Sequence, residues 1–184
     1  MSVHAVAVSA SHAFSKELVS SITLVEGLGV EGDCHNGKTV QHRSRLHIKP
    51  PPANLRQVHL ISFETLAGYG VQPAEIGENI TTTGVDLLAL GVGTRLHFIT
   101  SGPTSKRMQE PHAVVQLQGV RNPCPQIDKF RPGLKERFLV RDEQGAVIGR
   151  RAGVMGTVEV GGRIEAKMRI IVDRPVTFVP LECV

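Results

Sequence analysis

The chain of 184 residues contains no Trp and only one Tyr. Proteins that bind single-stranded nucleic acid stack its bases on aromatic side chains, so we do not expect a nucleic-acid partner. No apolar run approaches the roughly 20 residues that a membrane helix needs. The N-terminal residues, Met1 to Ala5, lack the charged region and apolar stretch of a signal peptide. We therefore expect no membrane association and a cytoplasmic location.

Cysteine is also scarce: there are three, at irregular spacing. An odd number without a pattern does not make a disulfide framework, and this favours a reducing compartment. A structural zinc site made of Cys34, His35, His42 and His59 fits no known zinc spacing. It is the least favoured of the functional alternatives.

Acidic residues are missing between Cys34 and Phe63, and the chain carries a formal net charge of +4. A stretch of one sign favours a phosphate-bearing or otherwise anionic partner, although a solvated basic loop would show the same pattern. The loop over 36–54 is long enough to be functional or mobile. The basic residues of the stretch are Lys38, Arg43, Arg45, Lys49 and Arg56, joined by His35, His42, His47 and His59.

Short alternating apolar segments, with 19 Gly and 11 Pro, predict a mainly β fold. We expect a curved sheet or barrel of short strands with a few short helices, in a single domain over 1–184. Ser62 is expected to cap a helix over 63–68, a second helix is expected over 134–140, and Gly161-Gly162 indicates a hairpin. Strands are expected near 3–9, 22–25, 57–61, 81–83, 95–100, 113–117, 153–160, 169–172 and 176–179.

Cys124 lies between Pro123 and Pro125. Proline fixes its own φ, lacks an N–H and pushes the preceding residue toward an extended conformation, so Cys124 belongs in a rigid loop and not inside a helix. The nearby Arg121 favours the thiolate, which is the nucleophilic and metal-binding form. A small buried apolar residue is the alternative interpretation of this cysteine.

Two further segments carry candidate residues. Asp33 and His35 are two apart in a glycine-rich turn, so a carboxylate and an imidazole could meet one ligand. Glu78 and Asn79 stand at the entry of a Thr-rich strand. In each case a purely structural turn remains the alternative.

Taken together, these segments resemble a MOSC domain, the C-terminal domain family of molybdenum-cofactor sulfurases, in its stand-alone bacterial-type form. The resemblance covers about 22–172 and follows the family order. Its motifs are Gly32-Asp33-x-His35, Arg56 to Ile61 with Glu64, Gly77-Glu78-Asn79-Ile80, Gly84 to Leu87, Arg121 to Cys124, and Gly153 to Gly156.

The resemblance implies a MOSC-type β-barrel, similar to the pyruvate-kinase β-barrel, with a pocket for molybdenum cofactor or activated sulfur. It implies that Cys124 is the catalytic cysteine and a molybdenum ligand, which agrees with the affinity of thiolate for soft metals. A pterin phosphate prefers Arg and Lys. The cofactor-binding candidates are Asp33, His35, Arg56, His59, Glu78, Asn79, Arg121, Asn122 and Asp128, whereas Cys34 is expected to be dispensable for the cofactor.

Besides the zinc arrangement, two functional hypotheses follow. The chain is a molybdenum-cofactor-dependent enzyme for sulfur transfer or reduction of N-hydroxylated substrates, or it is a non-catalytic carrier of cofactor or persulfide. No pyridoxal-phosphate domain and no flavin, haem or iron–sulfur motif is visible in the sequence. A separate electron-donor or sulfur-donor protein is the expected partner.

Overall fold

The computed structural model describes residues 1–42, 45–100 and 112–184. The helices are α1 (Phe63–Gly68), α2 (Gln126–Phe130) and α3 (Leu134–Arg137), with a 3-10 turn at Leu87–Ala89. The strands are β1 (Ser2–Val8), β2 (Glu17–Val19), β3 (Ser21–Val25), β4 (Gly29–Val30), β5 (Val58–Ser62), β6 (Ile80–Thr83), β7 (Arg95–Ile99), β8 (Ala113–Val120), β9 (Leu139–Arg141), β10 (Val147–Arg150), β11 (Val154–Val160), β12 (Gly162–Glu165) and β13 (Arg169–Asp173).

Seven strands form a closed barrel in the order β1, β6, β5, β11, β8, β7 and β13, and the barrel closes where Ser2 of β1 pairs with Arg169 of β13. The mainly β fold with few short helices is thus confirmed. Neighbouring barrel strands are antiparallel except β5 and β6, which are parallel and are connected through α1. Closure removes the exposed edges that an open sheet would present.

Three additions lie outside the barrel. β2 pairs with β1, β9 and β10 form a two-stranded sheet, and β3 stands between β4 and β12 in a three-stranded sheet. The expected cap of α1 is confirmed, because the Ser62 side chain accepts a hydrogen bond from the backbone N–H of Thr65.

The apolar core has two parts. The larger is contributed mainly by barrel strands and includes Leu60, Leu96, Phe98 and Val115, all with no measurable exposure. A second cluster packs α1, α2 and α3 against the outside of the barrel through Leu66, Ile127, Leu134 and Phe138. Cys124 lies against this second cluster.

Three sequence-based predictions of secondary structure are wrong. The helix expected over 134–140 ends at Arg137, because 139–141 pairs with β10 instead. The hairpin expected at Gly161-Gly162 does not form, since β12 leaves the barrel and pairs with β3. No strand forms over 176–179, where Val176 is fully exposed and prolines at both sides lack the N–H that a ladder needs.

The topology brings four chain segments to one end of the barrel. Asn79, just before β6, donates its backbone N–H to the carbonyl of His59 in β5. Arg121, just after β8, donates its backbone N–H to Gly153, just before β11. Among the residues described, no helix is both long and apolar enough to cross a bilayer.

Candidate functional site

The Cys124 loop follows directly from β8 and leads into α2. Residues 121–124 adopt no regular secondary structure, which confirms the loop predicted from the two prolines. Pro123 is buried, Cys124 is half-buried, and the Cys124 carbonyl accepts the backbone N–H of Ile127 at the start of α2. The loop is thus held at both ends while its thiol faces open space.

Arg121 is the buried cation beside this thiol. Its guanidinium donates to the Ile76 carbonyl, with 2.7 Å between Nη1 and the oxygen, and lies beside Cys124. Burial lowers the pKa of Arg121, and the neighbouring Cys124 and Glu78 oppose that change. The pairing of Arg121 with Cys124 that the sequence suggested is present.

Two adjoining cavities open around Cys124. The inner cavity, of about 70 Å³, reaches toward Lys16, His59 and Asn79. The outer cavity, of about 540 Å³, lies within the range of typical small-molecule sites. Both are lined by Cys124, Arg56, Arg121, His35, His42 and Gln126, and the outer cavity adds His12, Arg45, Asn122, Lys129 and Lys135.

The walls of these cavities are rich in positive charge. None of the described residues that line either cavity is Asp or Glu. Burial, followed by the charges of Arg121 and Arg45, lowers the pKa of Arg56 to about 10. Burial, followed by the charge of Arg56, lowers the pKa of His42 to about 4. The cations therefore disfavour one another, and an anion between them would relieve the repulsion.

Arg56 shows this imbalance most clearly. Its Nε is buried and has no hydrogen-bond partner among the described residues. A buried donor without an acceptor is costly, and a guanidinium matches the oxygens of a phosphate or carboxylate. Arg56 thus brings to the wall of both cavities a guanidinium whose Nε has no partner among the described residues.

Asp33 is placed differently from the sequence-based expectation, because it lies behind the cavity walls instead of on them. Its carboxylate is buried and accepts from the Lys16 ammonium, from the backbone and ring of His35, and from the Asn79 amide at 3.0 Å. Burial opposes ionisation, but the bonds from His35 and the charge of Lys16 hold the pKa of Asp33 well below its usual range. Asp33 is therefore a charged structural residue that connects Lys16, His35 and Asn79, and we call these four residues the Asp33 hub.

Cys34 lies in the chain between Asp33 and His35 of this hub. His35 Nδ1 lies 3.2 Å from Asp33 Oδ1, and the ring lines both cavities. Cys34 is half-buried and is not among the residues that line either cavity. Burial and the Asp33 charge raise the pKa of the Cys34 thiol.

His59 and Asn79 form the floor of the inner cavity and are both buried. The His59 ring nitrogen Nε2 lies 2.8 Å from the Ala152 carbonyl, and burial followed by the charge of Arg121 holds the pKa of His59 well below its usual value. The Asn79 amide donates to Ala7 and Asp33 and accepts from the His59 backbone. Both side chains are thus held firmly by the protein.

The remaining candidates lie at the margin of the site. Asn122 is exposed on the outer cavity, where its Oδ1 accepts from Arg150. Glu78 is buried beneath the floor and bonds to Ala74 and Thr81, and Asp128 accepts the backbone N–H of Lys135 at the start of α3. Neither carboxylate is among the cavity-lining residues.

Sequence reasoning missed several wall residues. Lys16 and His12 reach the site from the segment between β1 and β2, and no motif marks them. Lys129 and Lys135 follow Cys124 closely in sequence, and their charge was the signal available. Arg43 of the basic stretch lies outside the described residues, whereas Arg45 and Arg56 line the outer cavity.

Comparison with known proteins supports an assignment of the fold only. No protein-family model and no curated protein sequence matches the chain. The YuaD protein of Bacillus subtilis is similar with a TM-score of 0.71 and 22% identity, over 95% of this chain and 96% of that one. YiiM of Escherichia coli is similar with a TM-score of 0.56 and 19% identity, over 98% of this chain and 73% of that one.

YiiM of Geobacillus stearothermophilus is also similar, with a TM-score of 0.57 and 16% identity over 91% of this chain and 69% of that one. YiiM is a MOSC-domain protein. These likenesses at low identity suggest a MOSC-like fold for the chain.

Proposed function

We propose that the two cavities bind an anionic pterin-type cofactor, the molybdenum cofactor, and that Cys124 is the thiolate that holds its metal or carries activated sulfur. The observation that carries the proposal is the pairing of the Cys124 thiol with the buried guanidinium of Arg121 at a cavity lined by cations. The residues present fit such a group, since the described wall residues combine one soft ligand with many donors and include no carboxylate.

The anionic part of the ligand would meet the cations of the outer cavity. Arg56 supplies a guanidinium whose Nε has no partner among the described residues, and Arg45, Lys129 and Lys135 add charge around the opening. Phosphate is recognised well by arginine, which can form two parallel hydrogen bonds to its oxygens. Binding there would offset the repulsion from Arg121 and Arg45 that, after burial, lowers the pKa of Arg56.

The heterocyclic part would meet amide groups near the thiol. Asn122 and Gln126 line the outer cavity beside Cys124, and the amide groups of these side chains can both donate and accept hydrogen bonds. Asn79, fixed by Asp33, shapes the floor. When bound, the molybdenum centre would supply the redox chemistry for reducing N-hydroxylated substrates, with electrons from a separate donor protein.

A persulfide carrier without catalytic turnover is the second candidate. It is favoured by the half-buried position of Cys124 in a rigid loop, where a sulfur bound to Sγ would be shielded and still reachable. The same Arg121 would stabilise the negative charge of a persulfide.

Elemental analysis and intact-mass measurement of protein made in a host that synthesises the cofactor separate these functions. Molybdenum and pterin near one per chain support the cofactor function. The mass of one additional sulfur on Cys124, without molybdenum, supports the carrier. Protein that contains neither, even after incubation with each donor, would contradict the proposal.

A further inference from the structure

A second group of possible ligands lies beside the outer cavity. His12, Cys34 and His35 each place one ligand atom within 4.8 Å of those of the other two. The Cys34 sulfur lies 3.2 Å from His35 Nδ1, and the rings of His12 and His35 are 5.5 Å apart between centroids. Bonds of about 2.0–2.3 Å place the ligands of one tetrahedral zinc ion roughly 3.3–3.8 Å apart. A small movement of the exposed His12 would therefore gather all three on one ion.

The surroundings of the two rings favour metal binding. Asp33 Oδ1 lies 3.2 Å from His35 Nδ1, and His12 Nε2 lies 3.1 Å from the Gln41 carbonyl. In metal sites the ligating histidine commonly donates its second ring N–H to a carboxylate or a carbonyl, which fixes the tautomer and the ring orientation. For His12 this leaves Nδ1 as the ligand. For His35 the nitrogen beside Asp33 is the same Nδ1 that lies 3.2 Å from the Cys34 sulfur, so Nδ1 is the ligand and the negative charge of Asp33 lies directly behind the site.

We propose that His12, Cys34 and His35 form a zinc site whose fourth position opens toward the outer cavity. One thiolate and two imidazoles suit zinc and exclude the hard ions calcium and magnesium, which need oxygen ligands. Three protein ligands with an open position are typical of catalytic zinc and not of closed structural sites. As the zinc–sulfur bond forms, the Cys34 thiol releases its proton to solvent.

This site differs from the zinc arrangement considered from the sequence. His59 cannot take part, because its buried ring is engaged with Ala152 on the barrel floor. His12, which lies more than 20 residues before Cys34, takes its place. The site also gives Cys34 a role that is separate from cofactor binding through Cys124.

Cobalt titration of the metal-free full-length protein tests the site, because a cobalt–thiolate bond gives a charge-transfer band in the near ultraviolet. We expect one cobalt per chain with this band, and zinc should displace it. Cys34→Ser and His12→Ala should each weaken binding at least about 100-fold, more than the 10- to 100-fold typical of losing an outer-shell partner. His12 is exposed, so its variant should fold normally.

Cys124→Ser and Cys183→Ser are the matched controls, and both should keep the band. Retention in Cys124→Ser also separates this site from the proposed function, which that variant should abolish. Absence of a thiolate band in the wild-type protein would overturn the proposal. The proposal would also be overturned if Cys34→Ser bound cobalt with unchanged affinity and kept the band, since the thiolate ligand would then be another cysteine.

Discussion

The Asp33 carboxylate and the Asn79 side-chain amide, 46 residues apart in sequence, lie 3.0 Å apart in the barrel end. Sequence patterns assigned both residues to ligand binding. In the structure they bind each other, and through Lys16 and His35 they fix the floor and wall of the cavities. They position the groups that face a ligand.

Replacing Asp33 therefore tests the hub. Asp33→Asn removes the carboxylate that pairs with the buried Lys16, and breaking one side of a buried ion pair costs about 3–5 kcal/mol. Urea unfolding should show this loss. Glu159→Gln makes the corresponding change in a pair with Arg95 at the surface. It should lower the free energy of unfolding much less. Equal effects of both variants would show that Asp33 has no special structural role.

Glu78 predicts a dependence of stability on pH. Burial raises its pKa above the ordinary 4.5, and one carboxyl oxygen has no partner among the described residues. A group whose folded pKa is raised contributes stability below the unfolded pKa and loses it as pH rises through the folded pKa. Glu78→Gln removes this ionisation, so its stability relative to wild type should increase with pH above about 4.5.

Unfolding free energies measured from pH 4 to 8 check this expectation for Glu78. Glu143→Gln, in the exposed turn after β9, is the control and should follow the wild-type curve. A constant difference between Glu78→Gln and wild type across the whole range would be the contrary result.

A substitution at Gly153 tests the close backbone packing between β5, which carries His59, and the residues just before β11. It has a φ of +93°, and a Cβ there would lie 2.4 Å from the Leu60 carbonyl oxygen and 2.7 Å from His59 Nε2. Gly133 has a similar φ of +79° with open space around it. Both Ala variants carry left-handed strain, but Gly153→Ala should cost about 1–3 kcal/mol more because of overpacking. Equal melting temperatures of the two variants would exclude the clash.

Arg56 should show opposite effects on stability and binding. Arg56→Gln removes a half-buried charge that repels Arg121 and Arg45, so stability should be unchanged or higher. A hydrogen bond to a charged group contributes about 1.5–3 kcal/mol, so anion affinity should fall roughly 10- to 100-fold. Protection of Cys124 from iodoacetamide by phosphate or molybdate measures that affinity. Arg163→Gln, at an exposed position of β12, is the control, and equal protection in both variants would argue against Arg56 as an anion donor.

The sequence predicts what depends on local pattern. Alternating apolar residues identify β1, β5 and β7, Ser62 identifies the start of α1, and the two prolines identify the Cys124 loop. Arg121 and Cys124 are only three positions apart in the sequence, so their proximity can also be predicted. These features need only neighbours in the chain.

Features that depend on distant partners could not be predicted. The pairing of β12 with β3 instead of β11 is decided by packing across the whole chain, and the sequence pattern at Gly161-Gly162 is the same in either case. Lys16 enters the site only because Asp33 is buried nearby, and Asp128 is directed to α3 by the backbone of Lys135. The sequence indicates side chains of the kinds that bind ligands. Which of them contact a ligand and which contact one another depends on the fold.

The most direct test of the role of Cys124 is the ligand content of Cys124→Ser, measured together with its melting temperature. Serine keeps the size but replaces a soft thiol with a hydroxyl that does not ionise near neutral pH. We expect molybdenum or additional sulfur to be lost while the melting temperature changes little, with Cys183→Ser unchanged in both. Full loading of a destabilised Cys124→Ser would contradict a ligand role and would identify Cys124 as a packing residue.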